Sequence, residues 1–150
     1  MASAVVPIAQ VSPAFSLFGD GKHVACEIPT PDGSGAFGGG SYDLVGPSGA
    51  FSFPTRPVKV GETLVLYGIG FGPTNPAVPA GTPFSGAALT TLPVTITIGG
   101  VPATLSFAGM TGPGLYQFNL TVPKTSAGDQ PVLAEVGGVS TPLGPVVTVQ

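Results

Sequence analysis

Apolar and hydroxyl-bearing residues alternate along residues 94–107, which read V-T-I-T-I-G-G-V-P-A-T-L-S-F. Because successive side chains on a strand point to opposite faces, each half of this segment has one apolar and one hydroxyl-rich face. Gly99 and Gly100 can supply the two positive φ angles that a tight type I′ turn requires. The pattern therefore predicts a β-hairpin and indicates an all-β fold.

Similar patterns predict further strands. A second hairpin is expected over residues 14–28, around the turn Gly19-Asp20-Gly21, and residues 108–114 are expected to form a turn. No segment has sustained 3.6-residue apolar spacing, and many short strands separated by turn residues are typical of a sandwich. We therefore predict an immunoglobulin-like β-sandwich with an N-terminal extended arm, a hairpin and a Gly-rich insert. Its other strands are expected at residues 63–67, 115–122, 132–136 and 146–149.

The composition divides the chain into two parts. Residues 1–56 are predicted to hold the arm, the hairpin and the Gly-rich insert, all packed on a sandwich formed by residues 57–150. The insert, residues 30–49, is the least patterned stretch, with a short strand expected near 41–45. Its role is left open.

The arm, residues 4–11, is apolar but is interrupted by Pro7, which has no N–H to donate and favours an edge or extended segment. Two interpretations are open: the arm packs on its own domain, or it adds a strand to the sheet edge of a neighbouring subunit. The candidate interaction residues are Val5, Val6, Ile8 and Val11.

Ionised side chains are scarce, with four Lys and Arg and seven Asp and Glu among 150 residues, for a net charge of −3. Nucleic-acid partners are unexpected because they require a basic patch. Membrane insertion is also unexpected, since no apolar run approaches the ~18 residues of a spanning helix. Two explanations of the low charge stay open: a soluble surface rich in Thr and Ser, or a surface covered by neighbouring subunits or domains.

No catalytic, metal or cofactor site is predicted. His23 is the only histidine and is expected to be a surface residue beside a turn, while the single Cys26 alternates with apolar neighbours and is expected to be a buried thiol. Asp20, Asp32 and Asp43 lie in Gly-rich turns and are expected to stabilise those turns. A calcium site near them is the alternative, because calcium prefers several hard oxygen ligands.

The glycines of Y-G-I-G-F-G, residues 67–72, follow a predicted strand. A dinucleotide-binding fingerprint requires a helix N-terminus at this point and an acidic residue about 20 positions later, and neither is present. The glycines are therefore expected to allow a bulge or corner at the end of the strand.

Five aromatic residues could form a platform for sugars, although aromatics at strand spacing more often belong to a core. The absence of Trp argues against sugar binding. The five are Tyr42, Phe51, Phe53, Tyr67 and Phe71.

The sequence also resembles a known family. The blocks G-E-T-L-V-L-Y-G-I-G-F-G-P (61–73), V-T-I-T-I-G-G-V-P-A-T-L (94–105), L-T-V-P (120–123) and V-L-A-E-V-G-G-V-S-T (132–141) are similar to those of IPT/TIG-type immunoglobulin-like domains. More closely, residues 13–150 resemble the C-terminal β module of large exported acidobacterial proteins of the Solibacter type. The departures lie mainly in residues 30–49 and at Cys26. The resemblance implies an extracellular or surface-exposed module, attached to other domains or self-assembling.

Three functions are therefore considered. The first is a non-catalytic extracellular structural or interaction module, which self-associates through strand addition into a surface or filament assembly. The alternative is a carbohydrate-binding accessory module of a larger secreted protein. An enzyme is the least supported, because the few ionisable residues form no recognisable catalytic pattern.

Overall fold

The computed structural model describes residues 10–35, 40–79 and 81–150, and they form an immunoglobulin-like β-sandwich of two antiparallel sheets. Within these ranges no helix is long and apolar enough to cross a membrane. In chain order the strands are β1 (Ala14–Phe15), β2 (Cys26–Pro29), β3 (Tyr42–Leu44), β4 (Thr63–Ile69), β5 (Thr74–Asn75), β6 (Ala88–Thr90), β7 (Val94–Ile98), β8 (Val101–Pro102), β9 (Thr104–Gly112), β10 (Leu115–Thr121), β11 (Gly128–Val136), β12 (Val139–Ser140) and β13 (Val146–Val149).

The strands divide into two sheets that do not follow chain order. The larger sheet has the order β3-β2-β4-β10-β9-β6-β5, with β1 paired to β4. The smaller sheet has the order β12-β11-β7-β8, with β13 paired to β11. The prediction of an all-β sandwich is therefore confirmed, and the short strand expected near residues 41–45 is β3.

The hairpin at Gly99 and Gly100 is formed, with φ values of 59° and 80° and with β7 paired to β8. After Ala103, however, the chain leaves the smaller sheet and enters the larger one as β9. A register shift opposite Asn119 and Leu120 marks a bulge in the pairing of β9 with β10, and bulges bend a strand in this way.

The expected turn at residues 108–114 is wrong for most of its length. Residues 108–112 continue β9, because they pair with β10 on one side and, at residues 109–110, with β6 on the other. The turn is confined to Pro113 and Gly114. A Gly-rich, weakly patterned stretch can still be a strand when strands on both sides bond to its backbone.

The core lies between the sheets and follows the predicted alternation. From the larger sheet it takes Leu64, Leu66, Phe118 and Leu120, and from the smaller one Ile96, Ile98, Val132 and Ala134, each at most 2% exposed. Phe71 is fully buried and its ring centroid is 4.5 Å from that of Phe118. Full burial of each large apolar side chain stabilises the fold by about 1.5–3 kcal/mol, so this alternation is the main source of stability.

The N-terminal hairpin belongs to the same body as the later strands. Leu17 bridges to Val24, while β1 and β2 both pair with β4. The backbone also bonds to β13, through a parallel bridge from His23 to Val146 and another from Val58 to Val149. A domain division at residue 56 stays a prediction, but hydrogen bonds join strands from both sides of it into one sheet.

Candidate functional site

The end of the predicted arm is anchored in this chain's own core. Val11 is only 7% exposed and packs with the core residues, and the Ser12 N–H donates to the Gly70 carbonyl at 2.9 Å. Val5, Val6 and Ile8 lie outside the described residues. Val11 therefore packs on its own domain, as the first of the two interpretations states. Strand addition to a neighbouring subunit would have to use the residues before Val11.

The glycines of Y-G-I-G-F-G make room for this N-terminal segment. A Cβ on Gly70 would lie 2.0 Å from the Ser12 carbonyl oxygen, and one on Gly68 would lie 2.7 Å from that of Ala14. Gly70 and Gly72 also have φ values of +75° and +92°, which side chains other than glycine rarely adopt. The expectation of a glycine corner at the strand end is confirmed, and its purpose is the close approach of residues 10–15.

His23 is buried between two carboxylates. Its Nδ1 lies 2.5 Å from Asp20 Oδ2 and its Nε2 lies 3.1 Å from Asp129 Oδ2. The residue is 7% exposed, and the Phe51 ring meets the imidazole edge-on at a centroid distance of 5.7 Å. The prediction of a surface histidine is therefore wrong, because the bridge to Val146 brings His23 against the smaller sheet.

The two carboxylates are held in their charged form. Hydrogen bonding from His23, supported by the backbone N–H groups of residues 22 and 23, lowers the pKa of Asp20 to about 2. The Thr148 hydroxyl donates to Asp129 Oδ1 at 2.7 Å and is the largest cause of the lowered pKa of Asp129, and the contacts with His23 and Lys22 lower it further. The cluster therefore ties the N-terminal turn to β11 and β13.

This cluster is poorly arranged for catalysis or metal binding. Carboxylates only accept hydrogen bonds, so both histidine contacts are hydrogen bonds when both ring nitrogens carry protons. A histidine used in this way has no nitrogen left to bind a metal or to take a proton from a substrate. Its geometry suits a structural tie.

A second ionic cluster ties β3 to the segment before β4. Arg56 Nε donates to Asp43 Oδ2 at 2.9 Å, and its two terminal nitrogens each donate to one oxygen of Glu62 at 3.0 Å. This fork-to-fork pair raises the pKa of Arg56 and lowers that of Glu62. The Lys59 N–H also donates to Glu62 Oε2 at 2.7 Å, so the pair fixes the turn as well.

The aspartates Asp20, Asp32 and Asp43 are not brought together, and the expectation of a turn at Asp43 is wrong, because its backbone pairs with Ile28 of β2 as part of β3. Asp20 contacts His23, Asp43 contacts Arg56, and Asp32 accepts hydrogen bonds from the backbone and hydroxyl of Ser34, which lowers its pKa. Among the residues that the structure describes, no group of three or more His, Cys, Asp or Glu side chains could hold a metal ion. Asp20 and Asp32 bond the backbone of their own turns, as expected.

The five aromatic residues do not form one platform. Phe71 is in the core, and the Tyr67 hydroxyl donates to Glu27 at 2.9 Å. Phe51 and Phe53 stack at 5.0 Å, and Phe18 packs at 5.3 Å from each of them. Tyr42 is 43% exposed, on β3. These rings mostly pack against other parts of the chain and leave no broad flat surface of coplanar rings.

In the part of the chain that the structure describes, two open clefts have linings without a charged residue. The larger of the two, of 460 Å³, is lined by Val78, Pro79 and Tyr116 among others, and the smaller, of 230 Å³, lies beside Leu133 and Leu143. Leu143 is 88% exposed, the highest value among the large apolar side chains described. The clefts suit apolar contacts better than acid–base chemistry.

No protein-family model, curated protein or solved structure matches the chain. Cys26, one of the departures from the resembled pattern, is 2% exposed, and burial raises the pKa of its thiol, so the expected buried thiol is confirmed. The roles of His23 and Arg56 could not be read from sequence. Asp129, the second partner of His23, is 106 residues away, and the partners of Arg56 lie in two separate segments.

Proposed function

We propose that this chain is a non-catalytic structural or interaction module that self-associates through strand addition by its N-terminal arm. Its location is proposed to be extracellular or at the cell surface, as the resemblance to exported β modules implies. The assembly would be a surface layer or filament, because a contact between an arm and a different surface of the next copy is head-to-tail and continues unless it closes into a ring.

The observation that carries this proposal is the anchoring of residues 10–15 along the end of β4. Val11 is held in the core and Ser12 is bonded to Gly70, so the point at which residues 1–9 join the sandwich is fixed. The sequence places Val5, Val6 and Ile8 within six residues of Val11. Apolar β-forming residues directly outside an anchored segment are suited to pairing with another sheet edge.

The use of the charged residues supports the same proposal. Asp20, His23 and Asp129 form one tie, and Arg56, Asp43 and Glu62 form another. A surface with few ionised groups has little electrostatic repulsion to oppose association between copies. Apolar residues such as Ile69 and Leu89, each 56% exposed, add further contact area.

The test is to delete residues 1–9 and to compare the state of association with that of the full chain. Sedimentation velocity and negative-stain electron microscopy should show assemblies of the full chain and monomers of the truncated one. Residues 10–12 must be kept, because removing Val11 would damage the core. Val11→Ala in the full chain is the matched control: it should weaken folding but leave association in place. Equal association of the full and truncated chains would refute the arm's role.

A further inference from the structure

The two long sides of the sandwich are covered to different extents. On one side the outer edge of β13 is bonded by the N-terminal segments, since Val24 N–H donates to the Val146 carbonyl and Val58 N–H donates to the Thr148 carbonyl. On the other side β7 and β9 separate after Ala103, whose N–H makes the last bond to Ile96. In the part of the chain described, no strand pairs with residues 104–107 on the side away from β10.

The core is correspondingly less covered on this second side. Val24, Val45 and Val58, on the closed side, are at most 1% exposed. Five apolar residues that lie on β7 and β9, or within two residues before them, pack against the core but are only partly buried. We define them as the β7–β9 seam: Leu92, Val94, Ala103, Leu105 and Ala108. An unpaired strand edge beside partly covered apolar residues is a place for one more strand.

We infer that the β7–β9 seam receives residues 4–9 of a second copy of this chain, an inference that rests on the proposed function. Residues 4–9, fully extended, reach about 20 Å. Pairing along residues 104–107 requires about 13 Å of strand, which residues 5–8 supply, so Ala9 joins the paired strand to the anchored residues of its own copy and the two copies must lie close together. Residues 4–9 contain no ionised side chain, and neither does the seam.

The position of Pro7 selects the register. Pro7 has no N–H, so its nitrogen must face away from the receiving edge, which directs the N–H groups of Val6 and Ile8 toward that edge. The side chains of Val6 and Ile8 share one face of the strand, and this face carries more apolar volume than the face of Val5, Pro7 and Ala9. Val6 and Ile8 therefore cover the seam, while Val5 points away.

The affinity comes mainly from these side chains. The bulge in β9 falls at Ser106, whose hydroxyl donates to the Asn119 carbonyl at 3.2 Å, and bulges interrupt regular ladders. A long backbone ladder is therefore excluded, and burial of Val6 and Ile8 against Leu105 has to supply the binding. Substitutions on the two faces of the arm should have clearly different effects.

Disulfide trapping tests the contact directly. Chains carrying Ile8→Cys are mixed with chains carrying Leu105→Cys or Ala103→Cys and are oxidised, and the mixture should give a covalent heterodimer. Thr121→Cys, exposed on β10, is the control receiving position and should give none. Buried Cys26 does not interfere. A heterodimer with Thr121→Cys as abundant as that with Leu105→Cys would overturn the inference.

Sedimentation of charged variants gives the second test. Ile8→Asp should weaken association about ten- to a hundredfold, because it removes a buried apolar side chain, whereas Val5→Asp should change it less than about threefold. If deletion of residues 1–9 abolishes association but neither a cross-link nor a difference between these variants is seen, the arm binds elsewhere and the seam is wrong. If the deletion changes nothing, the proposed function itself fails.

Discussion

Replacing Gly70 by alanine should release the N-terminal segment from β4. Gly70 has a φ of +75°, and a Cβ built there lies 2.0 Å from the Ser12 carbonyl oxygen, so backbone has to move. Gly49 is the matched control: its φ is +78°, but nothing lies within 4 Å of its Cβ position. Both substitutions carry the same conformational penalty. The difference between their losses in free energy of unfolding therefore measures the contact with residues 10–15.

The glycine conformation and the contacts around it set the size of each loss of stability. The left-handed conformation costs about 1–2 kcal/mol for a residue with a Cβ, and the less flexible unfolded chain offsets about 0.4–1 kcal/mol of this. Gly49→Ala should therefore lower the free energy of unfolding by about 1 kcal/mol. Gly70→Ala should also lose the Ser12–Gly70 hydrogen bond, worth about 1 kcal/mol, and about half the burial of Val11, worth another 1–1.5 kcal/mol. Its total loss should be about 3 kcal/mol.

Urea unfolding followed by circular dichroism measures both free energies of unfolding, and tyrosine fluorescence gives a second probe because the chain has no Trp. Equal free energies of unfolding for Gly70→Ala and Gly49→Ala would refute the close packing of Ser12 on Gly70. They would also remove the anchoring on which the arm proposal depends.

The remaining predictions concern the core anchor and the two ionic ties. Val11→Ala should lower the free energy of unfolding by about 2 kcal/mol, whereas deletion of residues 1–9 should leave the urea midpoint of the monomer nearly unchanged. His23→Ala should cost about 1–3 kcal/mol, since it leaves Asp20 and Asp129 without their shared donor, and chemical denaturation at neutral pH would measure it. The pKa values of Asp20 and Asp129 are lowered in the folded chain. Their contribution to the free energy of unfolding is therefore full above the ordinary pKa near 3.8 and is lost as the pH falls toward 2. Between pH 5 and 2, the melting temperature of Asp20→Asn should therefore fall less steeply than that of the unmodified protein. Parallel plots of melting temperature against pH would contradict the contact between Asp20 and His23. Arg56→Lys should lower the free energy of unfolding by about 1 kcal/mol, because lysine cannot bond both oxygens of Glu62 while contacting Asp43, and Lys59→Arg is the neutral control.

The fold class and most of the strands follow from local pattern alone. Val94, Ile96 and Ile98 alternate with threonines, and Gly99-Gly100 permits one tight turn, so strand faces and hairpin are set within a few residues of chain. The same local logic places Leu64, Leu66, Phe118 and Leu120 in the core. It also excludes a nucleotide site at Y-G-I-G-F-G, because the required helix is missing from the neighbouring residues.

Only the tertiary structure decides which distant groups meet. Whether His23 is a surface residue depends on Asp129, which is 106 positions later, and on the bridge that brings residue 23 to β13. The glycine corner of β4 has a purpose only when residues 10–15 lie across it. At Ala103 the chain passes from β8 in the smaller sheet to β9 in the larger one without any break in its apolar pattern. Alternation fixes the direction of each side chain relative to its own strand, but the neighbours of that strand are chosen by the packing of the whole chain.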